Sequence, residues 1–75
     1  MKKQIIPGII VEPRVRFGKP IIQGTRVPVD LVVGKVASGM NLKEVMKEYD
    51  LTKTQVLAAL KYAADIVSSE EVAYT

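Results

Sequence analysis

The sequence predicts a mainly α fold, with three helices on a helix-turn-helix plan behind a short N-terminal β-arm or hairpin. Three observations predict it. Leu42, Val45, Met46 and Tyr49 recur at helical spacing, and so do Val56, Leu57, Leu60, Ala63, Ala64 and Val67. A cap signature precedes each run: Asn41 with Glu44, then Thr52 with Gln55. Before residue 30, prolines and glycines instead punctuate short β-branched runs, the pattern of strands and turns.

Taken in order, residues 1–8 read as a loose lead-in. Ile9, Ile10 and Val11 form a short strand that ends at Glu12-Pro13. Arg14-Val15-Arg16-Phe17 alternates polar and apolar, the period of a half-buried strand, and pairs with Ile21-Ile22 in a small hairpin. Such a hairpin is marginal alone, so it packs on the helices or pairs with a second chain. Gly18 and Gly24 supply backbone freedom at turns, and Pro20 opens an edge segment. Pro28 disfavours helix at Val27, and Asp30 is the expected N-cap of a first helix over 31–38.

That first helix is apolar around much of its circumference. Gly34 in its interior costs about 1 kcal/mol, which predicts close packing against another helix or the arm. Gly39 ends it in a left-handed cap. The second helix starts after Asn41 and stops at Asp50, with Leu51 plugging the corner. The third spans about 53–67 and turns Val56, Leu57, Leu60, Ala63, Ala64 and Val67 to the core. Thr54, Ala58, Lys61 and Asp65 lie opposite, and Gln55, Ala59, Tyr62 and Ile66 form an apolar side stripe. The organisation is a single domain, 1–75: an arm and corner over 9–29, a three-helix unit over 30–67 and a tail over 68–75.

A chain of 75 residues buries a modest share of its surface. It has no cysteine for disulfides and no Cys or His for zinc, so oligomerisation is the expected way to add buried area. Enzyme chemistry is not expected, because general-base His and nucleophilic Cys are absent and no glycine pair matches a phosphate loop. No cofactor or metal is expected. Lys2-Lys3 and the following isoleucines imitate a signal peptide, but Pro7, Gly8, Glu12 and Arg14 break the run. The expected setting is the cytoplasm, without a membrane partner.

The net charge of +3 is unevenly spread. Lys2, Lys3, Arg14, Arg16, Lys19, Arg26 and Lys35 face only Glu12 and Asp30 in the first 35 residues, which suits a polyanion or an acidic protein. In a DNA reader the third helix offers its first turn to base edges. Lys53, Thr54 and Gln55 stand there, Ala58 and Ala59 are small enough for a groove, and Lys61 reaches a phosphate. Against this, the acids of residues 41–67 balance their lysines, and a helix pair used only for packing is the plainer alternative. Arg26 is either a phosphate contact or a structural partner of Glu12 or Asp30. Tyr62 and Ile66, with Val72 and Tyr74 of the tail, are candidates for a partner-binding face.

The string Gly18-Lys-Pro-Ile-Ile-Gln-Gly-Thr-Arg-Val-Pro-Val29, with Ala37-Ser-Gly-Met40, Glu48-Tyr49, Leu51-Thr52 and Ala58-Ala-Leu-Lys-Tyr-Ala63, resembles the prokaryotic family filed as domain of unknown function 433. The resemblance covers roughly residues 9–67. It implies a homeodomain-like three-helix unit and an antitoxin-like role in type II toxin–antitoxin pairs. The antitoxin in such a pair silences a PIN-like nuclease toxin and binds operator DNA as a homodimer. The motif residues it carries over are largely structural, and none is catalytic.

Overall fold

In a computed structural model, which describes residues 3–69, a small antiparallel sheet packs against three helices. The strands are β1 (Lys3–Ile6), β2 (Ile9–Val11) and β3 (Pro20–Ile22), in the order β1-β2-β3. The helices are α1 (Val29–Ala37), α2 (Leu42–Tyr49) and α3 (Lys53–Ser69). None of them is long and apolar enough to cross a membrane.

The arm differs from the sequence reading in three ways. Residues 3–6 are a strand paired with β2, where a lead-in was expected. Pro7 and Gly8, read as an interruption, are the turn of that hairpin. Gly8 takes φ +89, which suits glycine at the third position of a proline-led turn. The register slips between Gln4 and Ile6, a bulge at exposed Ile5. Residues 14–17, expected as a strand, instead enter a 3₁₀ turn at Arg16–Gly18 whose residues all have positive φ. The alternation there was real, but the chain must reverse between β2 and β3, and β3 takes β2 as its partner through Ile9↔Ile22, Ile10↔Ile21 and Val11↔Pro20.

This pairing lets β2 and β3 bury both faces. Ile9 and Ile22 are fully buried and join Val29, Val32, Val45, Leu51, Val56 and Ala59 in the helical core. Ile10 and Ile21 point the other way and are buried at 7% and 2% exposure. Val15, Thr25 and Arg26 line the hollow beside them. The corner after β3 is held by hydrogen bonds: Thr25 Oγ1 donates to the Ile22 carbonyl at 2.8 Å and accepts from the Val27 N–H at 3.0 Å. Gly24, at φ +82, makes the reversal possible.

The helix limits follow local chemistry. α1 begins two residues before the expected start, with Pro28 at the N-cap and no side-chain capping bond. Asp30 is therefore not the cap. It sits in the first turn, where a carboxylate favours the helix dipole, and pairs with Lys19 at 3.1 Å. At the other end, Gly39 at φ +106 closes a Schellman motif, with Gly39 N–H on the Val36 carbonyl and Met40 N–H on the Lys35 carbonyl. Both expected capping boxes form. Asn41 and Glu44 exchange bonds of 2.9 and 3.0 Å, and Thr52 and Gln55 bonds of 3.1 and 2.8 Å. Asp50 turns the chain at φ +54, and Leu51 is buried as the plug.

Two expectations about helix faces are overturned. A Cβ built on Gly34 meets nothing within 4 Å among the described residues, so no close packing between them explains that glycine. On α3 the buried line runs through Val56 and Ala59, with Leu60, Tyr62 and Ala63 half-buried. Leu57 and Val67, expected in the core, are 46% and 68% exposed, and Ala64 is exposed too. The sheet draws the buried side of the helix toward Ala59, because α3 packs on β2 and β3 as well as on α1 and α2.

Removing either N-cap acceptor, in Asn41→Ala or Thr52→Ala, is expected to lower stability by about 1 kcal/mol. Ile22→Ala is expected to cost about 2–5 kcal/mol, since it empties a fully buried position shared by sheet and helices. Urea titrations followed by circular dichroism measure both.

Candidate functional site

Three regions of the surface carry chemistry, and the structure does not merge them into one. The first is the opening turn of α3. Lys53 and Thr54 are exposed. Gln55 is half-buried, and its Oε1 is committed to the Thr52 N–H, so only its amide NH₂ is left to reach outward. The capping box thus gives this turn a fixed shape that carries the exposed side chains of Lys53 and Thr54.

The face beyond that turn is less open than the sequence suggested. Ala58 is half-buried beneath the β1–β2 turn: a Cβ on Gly8 would stand 3.1 Å from the Ala58 Cβ. Ala59 is wholly buried. The expectation that these two alanines let α3 sink into a groove is therefore corrected, because the sheet occupies the space they leave. Lys61 is exposed and pairs with Asp65 at 3.4 Å, one helical turn on. Exposed pairs at this spacing are worth only about 0.3–0.5 kcal/mol, so an anion could readily draw the ammonium away.

The second region is the loop between β2 and β3 with the corner after β3. Arg14, Arg16, Lys19 and Arg26 are all exposed there. Lys19 is matched by Asp30. Arg16 Nε donates to the Arg26 carbonyl at 3.4 Å, which ties loop to corner. Among the described residues no ion pair holds the Arg26 guanidinium, and Asp30, one of its two expected partners, is taken by Lys19. Glu12 accepts a bond from the Arg14 N–H at 3.3 Å, and this bond holds its carboxyl below the usual carboxylate range. Phe17 is the feature that the sequence reading missed. It is fully exposed, on a left-handed backbone at φ +56, in the midst of these cations. An aromatic in an alternating run reads as half-buried, and no local signal reveals the reversed backbone.

The third region is an apolar groove of about 600 Å³ between α1, the start of β3 and the last turns of α3. Its floor is Val29, Val33 and Gly34, and its far wall is Tyr62, Ala63, Ile66 and Val67. Among the described residues, Lys19 and Asp30 are its charged members. Two of the expected partner-binding residues, Tyr62 and Ile66, thus come together here. Val72 and Tyr74 lie outside the described residues.

Residues 9–63 match the profile of a family described as "Protein of unknown function (DUF433)". No curated protein matches the chain. Among solved structures, the X-ray crystal structure of Rv2018 from Mycobacterium tuberculosis is similar, with a TM-score of 0.63 and 31% sequence identity. The match covers 69% of this chain and 24% of that one, so the likeness concerns a minor part of the larger protein.

Phe17→Gly is expected to leave the fold intact and to raise stability by up to about 1 kcal/mol, because a left-handed residue loses its Cβ penalty and no buried contact is given up. A shift of the urea midpoint to lower concentration would contradict this.

Proposed function

Because the chain belongs to the DUF433 family, we propose that it is an antitoxin of a type II toxin–antitoxin pair, a dimeric, homeodomain-like helix-turn-helix protein that binds operator DNA and neutralises a PIN-like nuclease toxin in the cytoplasm. One observation carries the DNA-binding part. The first turn of α3 is exposed and held rigid, with Lys53 and Thr54 free to meet a phosphate or a base edge. The covered Ala58 limits this contact to the helix end, so the helix meets the duplex tip first. Arg14, Arg16 and Arg26 add phosphate contacts from a separate zone, and Lys61 adds one by leaving Asp65.

A second reading is favoured by the groove: a protein-interaction or dimerisation module that makes no DNA contact. An apolar hollow flanked by exposed Ile66 and Val67 is the kind of surface that a partner covers. The two readings diverge on charge reversal at the tip of α3.

Fluorescence anisotropy on the chain's own promoter tests the choice. Affinity is expected to fall steeply with salt, as phosphate contacts release counterions. Lys53→Glu is expected to weaken binding by about tenfold or more, comparable with losing one charged contact and gaining a repulsion. Binding that is absent, or indifferent to both salt and Lys53→Glu, would leave the interaction module as the function.

A further inference from the structure

We infer that the groove between α1 and the end of α3 is a two-fold interface between two copies of this chain, each seating its Ile66–Val67 end over Gly34 of the other. This rests on the dimeric part of the reading above and fixes where the two copies meet.

Gly34 supplies the first argument. Glycine in the middle of a nine-residue helix is unfavourable, and none of the described residues uses its lack of a side chain. It lies in the groove, where the missing side chain leaves a notch. Close approach by another molecule would use that notch.

The second argument is self-complementarity. α3 has 17 residues and α1 has nine, so α3 is about 25 Å long against about 13 Å and its last turns overhang the core. Ile66 and Val67 are 42% and 68% exposed on this overhang. A projection and a notch therefore sit side by side on one surface. A two-fold rotation places each projection in the other copy's notch, the reciprocal pattern of an isologous interface.

Charge favours a copy over a foreign partner. Among the described residues, the charged members of the groove are one cation and one anion, Lys19 and Asp30, 3.1 Å apart and more than 60% exposed. That rim carries no net charge to steer an acidic or basic partner. Across a two-fold axis it meets the same pair in reverse order.

The absence of cysteine from the sequence makes a direct test clean. Gly34→Cys and Ile66→Cys are made as separate full-length variants, mixed and mildly oxidised. A disulfide requires Cα atoms within about 7 Å, so the mixed-variant adduct is expected to dominate over adducts of either variant alone. Sedimentation of the unmodified chain is expected to show a concentration-dependent dimer. Gly34→Gln fills the notch but meets none of the described residues of its own chain, so it is expected to keep the helical signal and raise the dimer Kd about tenfold or more. A chain that stays monomeric at all concentrations overturns the proposal. So does a dimer indifferent to Gly34→Gln, or a Gly34→Cys thiol protected only when a nuclease partner is co-expressed. The DNA reading is scored separately: retained promoter binding alongside a failed crosslink sinks this interface alone.

Discussion

The structure depends on how β2 and β3 are paired. Ile9 opposite Ile22 and Ile10 opposite Ile21 give a two-stranded patch that is apolar on both sides. One side closes the helical core over Val32 and Val56, and the other is buried away from the helices. A shift of register by one residue would exchange the two faces and move every isoleucine to the wrong side. The register is held by hydrogen bonds outside the ladder: Gln23 N–H to the Gly8 carbonyl at 2.8 Å, Ile22 N–H to the Val27 carbonyl at 3.0 Å, and the two bonds of Thr25.

Seen this way, most of the Gly-Lys-Pro…Gly-Thr-Arg signature is accounted for by the fold. Gly18 and Gly24 hold left-handed backbone, Lys19 pairs with Asp30 on α1, Pro20 opens β3 and Thr25 locks the corner. Arg26 stands apart. Its carbonyl takes a bond from Arg16, and among the described residues no ion pair holds its guanidinium.

What the sequence revealed tracks how local the determining interaction is. The ends of α2 and the start of α3 were legible because Asn41–Glu44 and Thr52–Gln55 satisfy their own backbone within four residues. Gly39 and Leu51 were legible for the same reason. β1 was not, because its strand character comes from pairing with β2, and Pro7-Gly8 serves equally as a break or as a hairpin turn. Phe17 was misplaced because positive φ in a non-glycine residue leaves no mark on the residue pattern. The face of α3 was rotated because helical spacing defines an apolar stripe but not which neighbour claims it. Leu57 fits that stripe as well as Ala59 does, and contact with the sheet decides for Ala59.

That rotation also separates the uses of α3 along its length. Its first turn is capped, polar and open. Its middle is enclosed, with Val56 and Ala59 in the core and Ala58 under the β1–β2 turn. Its last turns carry exposed Ile66 and Val67 and outrun the core. A helix gripped at the middle transmits position rigidly between its ends. Anything that fixes the overhanging end in a symmetric assembly therefore also fixes the spacing of two opening turns, which is the quantity that a two-fold nucleic-acid site reads. The groove and the tip of α3 are distant in chemistry but coupled in geometry through the enclosed segment between them. Ala59 in the core and Ala58 under the β1–β2 turn, which prevent α3 from sinking into a groove, would also make such a coupling stiff.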